Sequence, residues 1–495
     1  MLLKIIAYII IGLYSFALTY VTLYCLVQFH LLWQYKKSRK KSTATVQQHD
    51  HAGAFPFVTI QLPLYNERYV VERLIDNIVK LDYPIDKLEI QILDDSTDET
   101  RLVCQEKVAY YKSKGFQIHH YHRTDRTGYK AGALKEGLQK ANGEFIAIFD
   151  ADFLPEPDFL WRTIPLFQDP KVGVVQTRWE HINEDFSLIT RLQAFQLNVH
   201  FTIEQTGRQN GNYLLQFNGT AGVWRRETIE DAGGWASDTL TEDLDLSYRA
   251  QLKGWTIKYL QEIGSPAELP SEMNSLKSQQ FRWMKGGAEN ARRLIPAIMR
   301  SELPFMKKMH ATTHLLSSTI FLFIFLLAVL SVPAVFLMST IHFQQPFYFL
   351  FMIGLLTAGC VYYVANEDTA WIDEPGYRKV MKFSVMFPLF LSLSMGLSLH
   401  NSIAVVQGYM GRKSAFVRTP KFNIQQFQDS FKKGLYDASQ LSGITVIEGL
   451  LALYFLTAVI MGVELGKTSF VIYHFMLMVG FGGIFIYSVK HLSHR

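Results

Sequence analysis

Long apolar runs lie towards both ends of the chain, and a more polar central part separates them. The apolar segments cover residues 5–33, 310–338, 346–365, 383–408, 446–465 and 468–489. Each approaches or exceeds the roughly 20 residues that an α-helix needs to cross a bilayer. The pattern predicts a membrane protein in which a water-soluble domain stands between membrane-spanning helices.

Within the central part, short apolar runs alternate with stretches of helical periodicity. Strands are predicted at 58–62, 88–93, 117–121, 145–149 and 172–176. Between the first two, apolar residues from Val70 to Val79 recur at helical spacing. This alternation predicts an α/β domain with a doubly wound, mostly parallel sheet.

Charge and cysteine content narrow the class of protein. The formal net charge of the 495 residues is +5, and the basic residues cluster beside apolar segments. That placement favours anionic lipid headgroups over nucleic acid as a partner. Cys25, Cys104 and Cys360 have no metal-ligand spacing, so the sequence indicates neither a disulfide framework nor a zinc site.

The basic residues also predict an orientation in the membrane. The first apolar run is followed by Lys36, Lys37, Arg39, Lys40 and Lys41. A signal peptide would have a shorter apolar core with the charge before it, so we expect a signal anchor. Its positive end, and with it the central domain, is expected in the cytoplasm of a plasma, inner or Golgi membrane.

The number of crossings depends on segment 383–408. It contains Pro388, His400 and Asn401, and we expect it to lie at the membrane interface, which gives five crossings. The basic loop 411–433 and the C-terminal tail then stay on the cytoplasmic side. The alternative is six crossings, with the loop and the tail exported.

Polar side chains follow four successive predicted strands. They are Tyr65 and Glu67, then Asp94 and Asp95, then Arg126 and Lys130, and finally Asp150 and Asp152. Carboxyl ends of parallel strands meet at one edge of a sheet, so we expect one crevice suited to a nucleoside, a diphosphate and a metal ion. The last two carboxylates can hold a hard divalent cation against a phosphate. Each residue alone can be ordinary loop chemistry; the combination favours function.

Three later motifs complete the candidate chemistry. FNGTAGVW at 217–224 contains Gly219 and Thr220, where the backbone can approach a substrate closely. Thr241, Glu242 and Asp243 open a helical pattern, either as a helix cap or as the source of a general base. Residues 279–283, with the sequence QQFRW, are either an interfacial belt or a platform for a sugar and a diphosphate.

In their order along the chain, these motifs resemble those of processive glycosyltransferases of family 2, the cellulose and hyaluronan synthase type. The family pattern D, DxD, (T)ED, Q(Q/R)xRW is found at Asp95, at Asp150 with Asp152, at Thr241-Glu242-Asp243 and at Gln279-Gln280-Phe281-Arg282-Trp283. The chain is most similar to the plant cellulose-synthase-like A and C subfamilies, which make β-1,4-mannan or glucomannan and the xyloglucan glucan backbone. Stretches that carry this likeness include LDDSTD (93–98), TGYKAGALKEG (127–137), HFTIEQ (200–205) and TEDLDLSYRAQLKGW (241–255).

The resemblance implies a GT-A fold and a role for each matched residue. Tyr65, Glu67 and Asp95 would contact the nucleoside, and Lys130 would contact the diphosphate. Asp150 and Asp152 would hold the sugar nucleotide together with Mg²⁺ or Mn²⁺, and Asp243 would be the general base. The acceptor end would be framed by Gln279, Gln280, Arg282 and Trp283. The basic loop with FVRTPK at 416–421 lies where related synthases carry a gating loop. Its sequence departs from the cellulose synthase loop motif FxVTxK.

The reaction implied is inverting transfer of a hexosyl group, from GDP-mannose or UDP-glucose, onto a growing β-1,4-glycan. The alternatives are a lipid glycosyltransferase that adds one sugar, a non-catalytic nucleotide-sugar sensor or export partner, and a plain channel. The sequence leaves the formation of a homo-oligomer open. The expected division is 1–35 (transmembrane helix), 36–55 (linker), 56–300 (catalytic domain), 301–408 (transmembrane and interfacial helices), 409–445 (cytosolic loop) and 446–495 (transmembrane hairpin).

Overall fold

The computed structural model describes residues 1–39, 55–341, 347–414, 418, 419, 421, 423 and 442–493. Lys40, Lys41, almost all of the linker, most of the 415–441 loop segment and the end of the C-terminal tail lie outside the described residues. Seven strands form one sheet: β1 (Val58–Leu64), β2 (Leu88–Asp94), β3 (Gln117–His122), β4 (Phe145–Ile148), β5 (Val172–His181), β6 (Gly222–Arg225) and β7 (Thr256–Ala267).

The sheet is mixed but mostly parallel, as predicted. Its strand order is β3-β2-β1-β4-β6-β5-β7, and β6 alone runs antiparallel to its neighbours. The carboxyl ends of β1 to β4 therefore share one edge. Because β6 runs the opposite way, the segment before it, including Gly219 and Thr220, reaches that same edge.

Helices cover both faces of the sheet and continue into the flanking regions. The helices up to residue 300 are α1 (Leu2–Arg39), α2 (Val71–Ile78), α3 (Thr100–Ser113), α4 (Tyr129–Lys140), α5 (Phe159–Thr163), α6 (Leu188–Asn198), α7 (Gln205–Asn210), α8 (Arg226–Asp231), α9 (Glu242–Leu252) and α10 (Met273–Arg300). Short stretches of 3₁₀-helix lie at Ile85–Lys87, Ile164–Gln168 and Glu184–Phe186, and a π-helical turn at Val199–Glu204 joins α6 to α7.

The sheet forms around its central strands β1, β2 and β4, which are mostly apolar and are buried on both faces. Every residue of β2 and of β4 is buried. One core cluster joins β1, β2 and β4 to α2, and a second joins the other face of the sheet to α4 and α9. The two clusters hold the strand ends rigidly, which fixes the positions of the polar residues that follow them.

The C-terminal part is helical. Its helices are α11 (Phe305–Leu315), α12 (Ile320–Leu337), α13 (Phe347–Glu367), α14 (Gly376–Gly396), α15 (Ser398–Tyr409), α16 (Gly443–Glu464) and α17 (Val471–Ser493), with 3₁₀ turns at Ser317–Thr319, Met338–Ile341 and Thr468–Phe470. Among the described residues, five helices are long and apolar enough to cross a membrane: Leu2–Lys37, Ser317–Leu337, Gly376–Gly396, Gly443–Glu464 and Thr468–Lys490.

The segment expected at the interface, 383–408, is divided between two helices. Its first part belongs to α14, which by length and hydropathy is able to cross a membrane, and its second part forms the shorter α15. Both versions of the topology remain predictions, since length and composition do not fix which helices cross.

Candidate active site

The two acids after β4 are each paired with a lysine. Asp150 Oδ1 lies 2.5 Å from Lys130 Nζ, which also donates to the carbonyl oxygen of Gly219 at 2.9 Å. Asp152 Oδ2 accepts from Lys421 Nζ at 2.6 Å and from the backbone N–H of Glu268 at 3.0 Å. The acid pair thus lies at the sheet edge as expected, with a cation already beside each carboxylate.

The ligand atoms that Asp150 and Asp152 offer fit a hard divalent cation. Both groups offer carboxylate oxygens, the ligands that Mg²⁺ and Mn²⁺ prefer, and each already attracts an ammonium group. Within the described part of the chain, the group of three potential metal ligands that lie close together is a different one, Asp94 with His120 and His122. A cation between Asp150 and Asp152 would therefore have further ligands from substrate phosphates or water.

Tyr65, which follows β1, and Arg126, which follows β3, form a stacked pair. The guanidinium carbon of Arg126 lies 3.2 Å from the ring centroid of Tyr65, a cation–π arrangement. Beside it, Asp95 accepts two hydrogen bonds from Arg123, at 2.7 and 2.6 Å. The structure therefore brings Tyr65, Arg126 and Asp95 together; Arg123 was not among the predicted site residues.

Asp94 has a different position from its neighbour. Its side chain is fully buried and accepts from the backbone N–H of Ser96 at 2.8 Å, and it lies 2.9 Å from His120 Nε2. Burial works to raise the pKa of Asp94, but the hydrogen bonds from His120 and Ser96 outweigh it and lower the pKa. Asp94 thus organises the turn after β2 through Ser96 and His120.

Glu242 and Asp243 begin α9, and both carboxylates lie close enough to Lys130 to interact with its charge. Burial is the largest cause that raises the pKa of both groups, and the Glu242 carboxylate adds to it by raising the pKa of Asp243 to about 7. Burial also acts to lower the pKa of Lys130, but the charges of Asp150 and Glu242 more than compensate and raise it. A carboxyl group poised near neutral pH is suited to accept a proton.

The capping alternative for Thr241 is not supported. Its side chain makes no cap hydrogen bond to α9. Instead, Asn290 Nδ2 of α10 donates to its hydroxyl at 2.9 Å and to its carbonyl at 3.0 Å. Thr241 therefore links the helix that carries the two acids to the helix that carries the QQFRW sequence.

Gly219 fits closely against the candidate base. Its φ of +82° is a left-handed conformation that side chains disfavour, and a Cβ atom added there would lie 3.0 Å from Asp243 Oδ2. The next residue, Thr220, accepts a hydrogen bond from the backbone N–H of Asp150 at 2.8 Å through its hydroxyl. The glycine-containing segment thus connects Asp243, Lys130 and the acid pair.

The QQFRW sequence lies on the first half of α10. Gln280 is buried, while Gln279, Arg282 and Trp283 are half-buried. Burial lowers the pKa of Arg282 to about 10, against the opposing effect of the Asp150 and Glu242 carboxylates. Its guanidinium therefore belongs to the same electrostatic cluster as the acids.

Three described residues of the basic loop also reach the crevice. Arg418 makes a bidentate ion pair with Glu67, at 2.7 and 2.6 Å. Thr419 Oγ1 accepts a hydrogen bond from Arg282 Nη2 at 2.8 Å. Lys421 pairs with Asp152. Burial raises the pKa of Glu67, and the Arg418 charge offsets this only in part.

Sequence reasoning missed these loop contacts, although a signal for them was present. Phe416, Thr419 and Lys421 occupy three of the four fixed positions of FxVTxK, and Arg418 replaces the valine. The arginine at position 418 is the one fixed position at which the segment departs from the motif. That substituted residue makes the ion pair with Glu67.

Comparisons with known proteins agree with this geometry. Residues 56–286 match the model of a family described as "Glycosyltransferase like family 2". Two similar proteins from Arabidopsis thaliana are glucomannan 4-beta-mannosyltransferase 2, 41% identical over 293 residues (58% of this chain, 55% of the relative), and glucomannan 4-beta-mannosyltransferase 9, 44% identical over 264 residues (52% and 50%). The chain thus matches about half the length of these relatives, on the mannan side of the resemblance.

A solved structure extends the comparison to the fold. A mannosyltransferase from Pyrobaculum calidifontis, solved with GDP-Man and Mn²⁺, superposes with a TM-score of 0.50 at 19% identity, over 80% of this chain and all of the other. At that identity the likeness shows the fold alone. Residues 56–286 are therefore similar to a glycosyltransferase family 2 domain, and the mostly parallel sheet agrees with the predicted GT-A fold.

Proposed function

We propose that the protein is a membrane-embedded, processive, inverting glycosyltransferase that builds a β-1,4-linked mannan or glucomannan from GDP-mannose. The observation that carries this proposal is that Lys130 contacts both Asp150 and the carbonyl oxygen of Gly219, while Gly219 lies against Asp243. Lys130 and Asp150 suit the diphosphate of a donor, and Asp243 suits the hydroxyl of an acceptor. The mannosyltransferase names of the relatives favour mannose over glucose as the sugar.

The donor would lie along the carboxyl ends of β1, β2 and β4. Tyr65, with Arg126 on its face, and Asp95 offer an aromatic surface and a carboxylate for the nucleoside. Glu67 joins them once Arg418 moves away. Lys130 then donates to a phosphate oxygen and offsets its charge.

Asp150 and Asp152 would hold Mg²⁺ or Mn²⁺. The bound ion would stabilise negative charge on the leaving diphosphate. Lys421 and Lys130 together supply two positive charges to these acids, which equals the charge that one divalent ion would supply in their place. The structural neighbour was solved with Mn²⁺, and this supports the assignment.

Asp243 would accept the proton of the acceptor hydroxyl during transfer. Its raised pKa makes the carboxylate a better proton acceptor than an exposed aspartate. Arg282 and Trp283, with Gln279 and Gln280, frame the acceptor end. The hydroxyl attacks the anomeric carbon from the face opposite the diphosphate, so the configuration inverts and a β-linkage forms.

The domain division follows from the same assignment. We propose residues 56–300 as the cytosolic catalytic domain, the helices on either side of it as the membrane part, and the basic loop as a cytosolic element at the donor site. The contacts of Arg418 and Lys421 with the crevice support a loop on the catalytic side. The membrane helices would then offer the polymer a path out.

The experiment is to incubate membranes separately with labelled GDP-mannose and UDP-glucose. We expect a labelled polymer from GDP-mannose that survives lipid extraction and is cut by a β-1,4-mannanase. A single labelled glycolipid would favour the lipid glycosyltransferase instead. The sensor alternative predicts nucleotide-sugar binding without any product.

A further inference from the structure

The HFTIEQ sequence at 200–205 lies largely on a π-helical turn. This turn, Val199–Glu204, joins α6 to α7. Such turns inside helices are uncommon and are frequent at functional sites. None of the donor, metal or base assignments uses it, so its role is a separate question.

The turn holds the segment that leads into Gly219. Gln205 Nε2 donates to the carbonyl oxygen of Gln216 at 2.7 Å. His200 Nε2 lies 2.9 Å from Asn218 Oδ1, and His200 Nδ1 lies 2.9 Å from Glu204 Oε2. The Asn218 side chain is therefore held at its oxygen by the His200 imidazole, which is itself held by the Glu204 carboxylate.

This arrangement leaves one hydrogen-bond donor of Asn218 unused. The two ring nitrogens of His200 face the Glu204 carboxylate and the Asn218 oxygen. The oxygen of the Asn218 amide is thus occupied by His200. That nitrogen is buried and has no hydrogen-bond partner among the residues that the structure describes. A buried, unpaired donor is costly, so its position indicates a ligand atom that accepts from it.

The location indicates which ligand this is. Asn218 directly precedes Gly219, which contacts Asp243 and Lys130. On its other side, the π-helical turn packs through Val199 and Ile203 into a cluster with residues of α1 and α13. Asn218 is therefore next in sequence to the glycine that lies against the candidate base, and its partner His200 belongs to the turn that packs against α1 and α13.

We propose that Asn218 Nδ2 donates a hydrogen bond to a hydroxyl of the terminal sugar of the acceptor glycan. His200 and Glu204 are positioning residues that fix the amide in the orientation this contact needs. The inference rests on the proposed glycosyltransferase function and adds a residue that selects the acceptor. A sugar hydroxyl is the matching chemistry, because it accepts one hydrogen bond while it presents its own proton elsewhere.

The test uses the full chain in lipid nanodiscs, with GDP-mannose as donor and β-1,4-linked mannohexaose as acceptor. We expect Asn218→Ala to raise the KM for mannohexaose about five- to tenfold, the loss of one neutral hydrogen bond. The KM for GDP-mannose should stay within twofold. Glu204→Gln should raise the acceptor KM to a smaller extent and leave kcat nearly unchanged.

A matched control is Glu230→Gln, which breaks an i, i+4 ion pair with Arg226 on the protein surface. It should change neither KM. A misfolded variant would lose both substrates together, whereas the proposal requires loss of the acceptor alone. Calorimetry with GDP-mannose verifies that Asn218→Ala is folded. If Asn218→Ala is not folded, the acceptor KM of Glu204→Gln tests the role of Asn218 instead.

Binding of mannohexaose without donor, followed by saturation-transfer NMR, separates the two proposals. A parent protein that binds the hexasaccharide but transfers no mannose would defeat the proposed function alone. Folded Asn218→Ala with the acceptor affinity of the parent, or with an equal loss of donor affinity, would overturn the role of Asn218 alone. A parent that neither binds nor transfers would defeat both.

Discussion

Lys421 Nζ lies 2.6 Å from Asp152 Oδ2, although the two residues are separated by 269 positions in the chain. The same ammonium donates to the carbonyl oxygen of Glu268 at 2.5 Å. It thus occupies one of the oxygen atoms proposed to bind the divalent cation. A positive side chain and a metal ion at one carboxylate oxygen exclude each other.

This competition predicts a tighter metal site when the lysine is removed. We expect Lys421→Gln to lower the Kd for Mn²⁺ several-fold, measured by calorimetry on the purified protein without nucleotide sugar. Lys413→Gln removes a basic residue of the same loop that, in the described part of the chain, makes no ion pair with either acid, and it should leave the Kd unchanged. An equal Kd for the Lys421 variant and the parent would contradict the competition.

Metal dependence itself is the second prediction. Asp150→Ala and Asp152→Ala should each abolish transfer while the protein stays folded, because each removes a proposed ligand of the cation at the diphosphate. EDTA should abolish the activity of the parent, and Mg²⁺ or Mn²⁺ should restore it. Activity that survives chelation, or that persists in Asp152→Ala, would refute the metal assignment.

Much of the fold could be predicted because burial leaves a clear trace in the sequence. The five predicted strands each lie within a few residues of an observed strand, and β2 and β4 are buried throughout. Strand β6 was missed because it has only four residues and follows a glycine-rich segment. Strand β7 was missed because several of its positions are exposed and it contains Gly264 and Pro266.

The site was predictable to the extent that its residues follow strands. Acids that follow a strand can be predicted from their position, so the sequence places Asp95, Asp150 and Asp152 just after β2 and β4, where the structure has them. Their partners were not: Arg123 and Lys421 reach these acids through tertiary packing that no local pattern encodes. The fully buried position of Asp94 is likewise decided by the partners of its carboxylate, not by its neighbours in sequence.

The membrane topology can be tested with thiol labelling. In a variant without Cys25, Cys104 and Cys360, we expect a cysteine at Lys413 to resist a membrane-impermeant thiol reagent applied to intact cells. The reason is that the loop contacts the catalytic crevice, so the two share one side of the membrane. Labelling after permeabilisation is the positive control. Labelling of intact cells would instead support six crossings.

Gly219 should not tolerate a side chain, for two separable reasons. Alanine there would be strained by the left-handed backbone, at about 1–2 kcal/mol, and its Cβ would lie 3.0 Å from Asp243 Oδ2. We expect Gly219→Ala to lower both the thermal midpoint and kcat. Gly254 has a φ of +100° with open space around it, so Gly254→Ala should lower the midpoint alone. Equal kcat values for the two variants would argue against close contact between Gly219 and the base.

The two acids at the start of α9 differ in their expected roles. Asp243→Asn keeps the shape of the side chain but cannot accept a proton at neutral pH, so polymer synthesis should fall about 10²- to 10⁴-fold. GDP-mannose binding, followed by calorimetry, should stay within a few-fold of the parent, because the change affects the transfer step. If Glu242→Gln is inactive while Asp243→Asn still makes polymer, the general base is Glu242 and not Asp243.

The pH profile distinguishes these roles further. Because burial and the Glu242 charge raise the pKa of Asp243, its base form is lost as the pH falls through about 7, and kcat/KM should decline over that range. Glu242→Gln removes one cause of the raised pKa while the burial remains. Its acidic limb should therefore shift to lower pH than that of the parent. If the limb stays in place, the Glu242 carboxylate does not set the protonation of Asp243, and burial alone accounts for the poised base.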